Sequence, residues 1–304
     1  KGHGWVNPNP MVGAGLVKDG RIIGEGYHTR YGQLHAEREA FKNAAERGEE
    51  TAGADLYVTL EPCCHTGKQP PCTEAVLASG VKRVIVGCTD PNPVVAGRGI
   101  RLLREKGLEV VAGVLRGECE RQNEVFFHFM RTKLPFTVLK YAMTLDGKTA
   151  TVLGKSQWIT GEAARKRVHE DRGRYMAILT GVSTVLADNP QLTCRIPGGK
   201  NPIRVIADTK LRTPLSSTVV QTARETPTWI VTAVSDAGRK KAYEDAGCRV
   251  LSVPAKEGEL DLQAMMQLLG EEKVDSVMVE SGGTLAWSFL KAGLVNRVQA
   301  YIAP

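Results

Sequence analysis

Short apolar runs and glycine-ended amphipathic stretches alternate along nearly the whole of this chain, and the alternation is interrupted at Arg131–Pro135. Such a pattern selects α/β architecture, because strands followed by helices pack as a parallel or mixed sheet with helices on its faces. In the first half, Met11–Val17 and Arg21–Tyr27 flank Asp19-Gly20 as a hairpin with a primed turn. Helices are predicted next at His35–Arg47, Thr73–Ala78, Gly99–Lys106 and Glu118–Met130, with strands at Asp55–Leu60 and Arg83–Cys88. The second half predicts strands at Phe136–Ala142, Ala177–Thr180, Ile203–Ala207, Thr228–Val231, Arg249–Val253 and Ser276–Val279. Its helices are expected at Gly161–Arg172, Ala237–Ala246, Leu262–Leu269 and Thr284–Ala292. At 304 residues the chain exceeds the usual extent of one hydrophobic core, so the interruption divides it into domains at 1–132 and 133–304.

Several function classes are disfavoured by composition. The net charge of +7 would suit nucleic acid, but the cationic residues are scattered singly and no block of like charge occurs. Phosphorylated small molecules account for the balance equally well. No apolar run reaches the roughly eighteen residues of a membrane span, and Lys1–Pro10 is too polar for a signal peptide, so the cytoplasm is expected. Of seven cysteines, Cys63, Cys64 and Cys72 crowd one segment, which suggests a metal site over a disulfide framework. The other four are expected as buried thiols.

His35-Ala36-Glu37 stands at a predicted helix start, and Pro62-Cys63 with Cys72 spans a strand-to-helix junction. One neutral imidazole and two thiolates suit Zn²⁺ and leave its fourth tetrahedral position for water, the open arrangement of a catalytic site. A deaminase also needs a carboxylate that moves protons without binding the metal, and Glu37, two residues from His35, fills that role. Each piece alone is bland, since His-Ala-Glu on a helix is commonly surface chemistry. Cys64 and His65 are competing ligands, but neighbouring side chains in extended backbone diverge, which favours Cys63. The two cysteines lie nine positions apart, against three in the compact Pro-Cys-x-x-Cys signature.

The second half has no Gly-x-Gly-x-x-Gly fingerprint after a predicted strand. Val277–Glu280, the turn Ser281-Gly282-Gly283 and the helix from Thr284 instead present free backbone N–H groups to an anion. Many such turns are merely structural.

Longer motifs carry a resemblance. They are Asn7–Gly13 (NPNPMVG), Tyr57–Cys72 (YVTLEPCCHTGKQPPC), Asp90–Gly99 (DPNPVVAGRG), Leu145–Lys148 (LDGK), Ser156–Thr160 (SQWIT) and Thr184–Leu192 (TVLADNPQL). Over nearly its whole length the chain resembles the bifunctional riboflavin-biosynthesis deaminase and reductase family, in which the long cysteine spacing is normal. The resemblance implies a cytidine-deaminase-like N-terminal domain and a dihydrofolate-reductase-like C-terminal domain, with Zn²⁺ and NADPH as cofactors. It implies substrate contacts at Asn9, His28 and Lys68 beside His35, Cys63, Cys72 and Glu37. It further implies cofactor contacts at Ala142, Trp158, Thr184, Asp188, Thr209, Gly282, Gly283 and Thr284. Lys140, Ser156, Arg172, Leu192, Arg195 and Glu280 are implied to hold a phosphoribosyl substrate, the two arginines suiting a phosphate because guanidinium binds oxygens in pairs. Lys140 and Asp188 are the candidate proton donors. The bland readings of these positions are a snorkelling lysine at 140, a helix-end cation at 172 and a turn or cap residue at 188.

The implied chemistry is removal of the ring amine of 2,5-diamino-6-(ribosylamino)pyrimidinone 5′-phosphate, then reduction of the ribosyl to a ribityl chain. Two departures stand out: the family usually has serine at position 64, and both chain ends read as trimmed, with strand and helix expected beyond Pro304. A homo-oligomer without nucleic-acid or membrane partners is expected. The competing enzyme class, a nucleobase or tRNA deaminase with an accessory domain, calls for a basic aromatic-lined groove, and only 6% of the residues are aromatic. A non-catalytic zinc or RNA-binding module has no use for a free Glu37.

Overall fold

The computed structural model describes residues 1–154 and 156–304, and the chain forms two compact units, Lys1–Thr132 and Lys133–Pro304. In order, the first unit contains β1 (Gly13–Lys18), β2 (Arg21–Tyr27), α1 (Ala36–Glu46), β3 (Asp55–Leu60), α2 (Cys72–Ala78) and β4 (Arg83–Cys88). It continues with α3 (Arg98–Glu105), β5 (Glu109–Ala112), α4 (Arg116–Gln122) and α5 (Glu124–Thr132). The sheet order is β2-β1-β3-β4-β5, with β1 antiparallel to β2 and β3 and the remaining pairs parallel.

Ala36, Ala40 and Ala44 recur every fourth residue on α1, so small side chains form its buried stripe. That stripe lies so close to β2 that a Cβ on Gly26 would come 2.3 Å from the Ala40 nitrogen and 2.4 Å from the Ala36 oxygen. Leu16, Ile23, Leu56, Val84 and Leu103 complete the core beneath the helices. The single helix predicted over Glu118–Met130 is two helices, α4 and α5. Asn123, only 2% exposed, separates them because its side chain is taken by Met11: the amide oxygen accepts the Met11 N–H at 2.7 Å and the amide nitrogen donates to the Met11 carbonyl at 2.9 Å.

The second unit opens with β6 (Phe136–Thr144), α6 (Glu162–Arg174), β7 (Ala177–Gly181), α7 (Val182–Asp188), β8 (Ile203–Ala207) and α8 (Thr218–Gln221). There follow β9 (Thr228–Thr232), α9 (Ala237–Asp245), β10 (Arg249–Ser252), the small ribbon β11 (Ala255–Lys256) and β12 (Glu259–Leu260), and α10 (Leu262–Glu271). It ends with β13 (Ser276–Val279), α11 (Gly283–Lys291) and β14 (Arg297–Ala303). Seven strands form an all-parallel sheet ordered β10-β9-β8-β7-β13-β6-β14. Both faces are covered, as near-continuous apolar strands require: Leu179, Val205 and Val277 face one core while Ile178, Ile206 and Ile230 face another. From β7 the chain runs outward to β10, then returns to place β13 between β7 and β6. Ligands in open parallel sheets bind past the carboxyl ends of strands where the order reverses, so the end of β13, at Glu280, is the point to inspect.

Candidate functional site

In the first unit three donor groups converge. His35 precedes α1, Cys63 lies past the end of β3, and Cys72 is the first residue of α2. The His35 Nδ1 is 3.5 Å from the Cys63 sulfur and 3.3 Å from the Cys72 sulfur, and all three ligand atoms lie within 4.8 Å of one another. Zinc bonds of about 2.1 Å to nitrogen and 2.3 Å to sulfur give a tetrahedral N···S edge of about 3.6 Å, so the triangle has the size zinc needs. Among the described residues this is the one such group of three, and it contains neither Cys64 nor His65.

The local backbone explains the convergence. His35 occupies the position before the first turn of α1 and gives the helix no side-chain cap, because its ring is turned to the sulfurs. The first N–H of α2, on Cys72, donates to the Cys63 sulfur at 3.3 Å, which favours a thiolate. The Cys72 thiol, hydrogen-bonded to Cys63, is the main cause that lowers Cys63 to about 4, and the same sharing drives Cys72 upward. One sulfur is therefore a thiolate, the form that a metal binds. Glu37 is 3% exposed, and burial pushes its carboxyl up to about 7, so it can both take and give a proton.

His28 stands edge-on to His35 with ring centroids 5.3 Å apart. Its Nδ1 donates to the Leu34 carbonyl at 3.0 Å, which leaves Nε2 to accept from the Asn9 amide nitrogen at 3.3 Å. Burial lowers its pKa and keeps the ring neutral. Lys68, on the loop between the cysteines, is exposed and stacks its ammonium over Tyr31 at 4.2 Å. Gln69 donates to the Gly32 carbonyl at 3.0 Å and Arg38 to the Pro71 carbonyl at 3.0 Å, which docks this loop beside α1.

Sequence reasoning missed Glu61. Its buried carboxylate accepts the main-chain N–H groups of Asp90 at 3.1 Å, Gly97 at 2.8 Å and Ile100 at 3.1 Å. A Cβ on Gly99 would fall 2.1 Å from the Pro62 carbonyl oxygen, so the Asp90–Gly99 motif is bound tightly against the segment that carries Cys63. The signal was available: a glutamate directly before Pro62-Cys63 at the end of an apolar strand.

In the second unit Glu280 gathers the charges. Arg172 grips its carboxylate in two hydrogen bonds, 2.7 and 2.9 Å, and Lys140 approaches it at 3.6 Å. Burial works to raise the Glu280 pKa, but Arg172 and Lys140 together outweigh it and hold the carboxylate below its usual range. Gly282 and Gly283 begin α11 just after, as the glycine turn predicts, with Thr284 exposed beside them. Leu192 is buried and holds a left-handed φ of 54°, and Arg195 is exposed three residues later.

Other predicted residues are not drawn into that cluster. Thr184 and Asp188 lie on α7, and Thr209 donates to Glu259 at 3.2 Å. Trp158 is 68% exposed with the Arg165 guanidinium 4.7 Å above its ring, Ser156 is exposed, and Ala142 is half-buried on β6. Cys88, Cys119, Cys194 and Cys248 are buried free thiols, as expected.

Comparison with known proteins agrees with this geometry. Residues 2–88 match the cytidine and deoxycytidylate deaminase zinc-binding region, and residues 135–304 match the RibD C-terminal domain. The riboflavin biosynthesis protein RibD of Actinobacillus pleuropneumoniae is 50% identical over 304 residues, 100% of this chain and 80% of that protein. The Thermotoga maritima diaminohydroxyphosphoribosylaminopyrimidine deaminase/5-amino-6-(5-phosphoribosylamino)uracil reductase superposes with a TM-score of 0.87 at 42% identity, covering 99% of this chain and 82% of that one. Acinetobacter baumannii RibD gives 0.88 at 38% identity, covering 100% and 83%. The first unit thus has the cytidine-deaminase fold and the second the dihydrofolate-reductase-like fold of the RibD C-terminal domain. With a zinc-binding deaminase region and a reductase domain on one polypeptide, this chain belongs to the RibD family of bifunctional riboflavin-biosynthesis enzymes.

Proposed function

We propose that the first unit removes the ring amine of 2,5-diamino-6-(ribosylamino)pyrimidinone 5′-phosphate, and that the second reduces the ribosyl group of the product to a ribityl chain. The observation that carries this reading is the His35, Cys63 and Cys72 triangle of tetrahedral size with buried Glu37 beside it. Zinc held there supplies a Lewis acid that makes water a nucleophile at neutral pH. Glu37 takes the proton that the attacking water gives up and hands it to the departing amine, which leaves as ammonia while the ring gains an oxygen. Asn9 and His28 hold the pyrimidine or ribose beside the metal ligands, and Lys68, on the loop between Cys63 and Cys72, contacts the substrate phosphate or ring.

In the second unit Lys140, Ser156, Arg172, Leu192, Arg195 and Glu280 hold the phosphoribosyl substrate. Ala142, Trp158, Thr184, Asp188, Thr209 and the Gly282-Gly283-Thr284 helix start hold NADPH, whose hydride goes to C1′ of the opened ribosylamine. Lys140 or Asp188 delivers the matching proton. Alignment of the two reacting carbons is the main demand on the protein. The free cysteines fit a reducing compartment, which favours the cytoplasm, and no helix among the described residues is long and apolar enough to cross a membrane.

Glu37→Gln tests the central assignment. Bound zinc stays near one per chain while ammonia release falls by about 10²–10⁴-fold. Loss of zinc together with activity would make Glu37 a ligand and overturn its role.

A further inference from the structure

Two residues one turn apart on α6, His169 and Arg172, reach the same short segment, Thr193–Arg195. Arg172 donates to the Thr193 carbonyl at 3.2 Å, the Cys194 thiol donates to the His169 carbonyl at 3.1 Å, and the Arg195 main-chain N–H donates to His169 Nδ1 at 3.3 Å. On its other side the Cys194 N–H donates to the Asn201 amide oxygen at 3.0 Å. A Cβ on Gly199 would lie 2.5 Å from the Cys194 sulfur, so that sulfur sits in a closed notch. Arg195 is thus clamped through its backbone while the residue as a whole stays exposed.

Arg172 spends three N–H groups on Glu280 and Thr193, and a guanidinium carries five, so two remain for a ligand. Burial, and then the charges of Arg172 and Arg195, lower the His169 pKa, against a smaller opposite pull from the Thr193 carbonyl and Glu280. The neutral ring keeps a lone pair on Nδ1, as an acceptor must.

We infer that His169 is a positioning residue for the phosphorylated substrate: its ring nitrogen fixes the Arg195 backbone, and so the spacing of Arg195 and Arg172 around a phosphate. This rests on the proposed reading of those two arginines as substrate contacts.

The test is steady-state reduction by the full chain, with the deaminated, phosphorylated pyrimidine varied at saturating NADPH. His169→Ala raises KM for that substrate about tenfold, with kcat and the NADPH KM within about twofold of wild type. His169→Asn, whose amide oxygen can stand in for Nδ1, restores KM to within about threefold. An unchanged KM in the alanine variant, a fall confined to kcat, or an asparagine variant no better than alanine each overturns the inference. Should the alanine variant fail to fold, the asparagine variant decides: KM near wild type supports the positioning role, and KM as high as that of Arg195→Ala refutes it. Arg195→Ala also separates the two levels. If it leaves KM unchanged, the underlying reading of Arg195 fails; if it raises KM while His169→Ala does not, only the positioning role fails.

Discussion

His35 stands where a helix ordinarily has a serine, threonine, asparagine or aspartate cap, and α1 forgoes that bond so that the imidazole can face two sulfurs. A buried alanine stripe and tight docking on β2 supply what the cap does not. Arg204 shows the opposite economy. It is completely buried on β8 yet forms no ion pair within 4.0 Å among the described residues; it donates to the carbonyls of Gln191, Val219, Thr222 and Thr226 and to the Thr222 hydroxyl. Arg204→Met leaves those acceptors unpaired, so chemical unfolding of the second unit is expected to lose more than about 3 kcal/mol. A loss below about 1 kcal/mol would mean that the carbonyls find other donors. The zinc ligands and Glu37 were legible in the sequence because residue type and spacing dictate their chemistry. Arg204 and His169 were not, since each acts on main-chain groups that only the folded chain brings near, and Glu61 was legible as a position before Pro62-Cys63 but not by its partners, the N–H groups of Asp90, Gly97 and Ile100.

Among elements, most strands and helices followed their sequence signals within a residue or two, because their apolar faces are buried and bounded by glycine. The misses have physical causes. β5 and β14 are edge strands with alternate or mostly exposed residues, so their apolar signal is weak. The helix predicted over Glu118–Met130 divides where Asn123 bonds to Met11, a partner 112 positions away that no local pattern reveals. The closest approach of helix to sheet is the most exposed to mutation. Gly26→Ala places a methyl group against the α1 backbone, so we expect a stability loss of at least about 1–3 kcal/mol and weaker zinc retention as His35 shifts. A melting temperature and zinc content equal to wild type would show that β2 and α1 separate at no cost.

At the scale of the molecule, both units carry a histidine held below its usual range by burial, His128 in the first and His169 in the second. An unfolded histidine titrates near about 6.5, so below that pH the unfolded chain binds more protons than the folded one. The stability these two neutral rings contribute at neutral pH is therefore lost as the pH falls toward their folded values. Glu37 and Asp90, raised by burial to about 7 and about 6, act in the opposite sense over the same range, so the histidine contribution is read by difference. Between about pH 7.5 and 5.5 the denaturant midpoints of His128→Gln and His169→Gln should fall less than those of wild type, and identical pH profiles would contradict the assignment of neutral rings.

Two chemistries on one chain make a joint prediction, and a single assay reads both. Purified protein with zinc is given the diaminopyrimidine ribosylamine phosphate, and ammonia and NADPH are followed together. The account predicts ammonia release without NADPH, and NADPH oxidation that begins only once ammonia has appeared and approaches one equivalent per substrate. No ammonia from the zinc-loaded chain, or ammonia with NADPH left untouched, would contradict it.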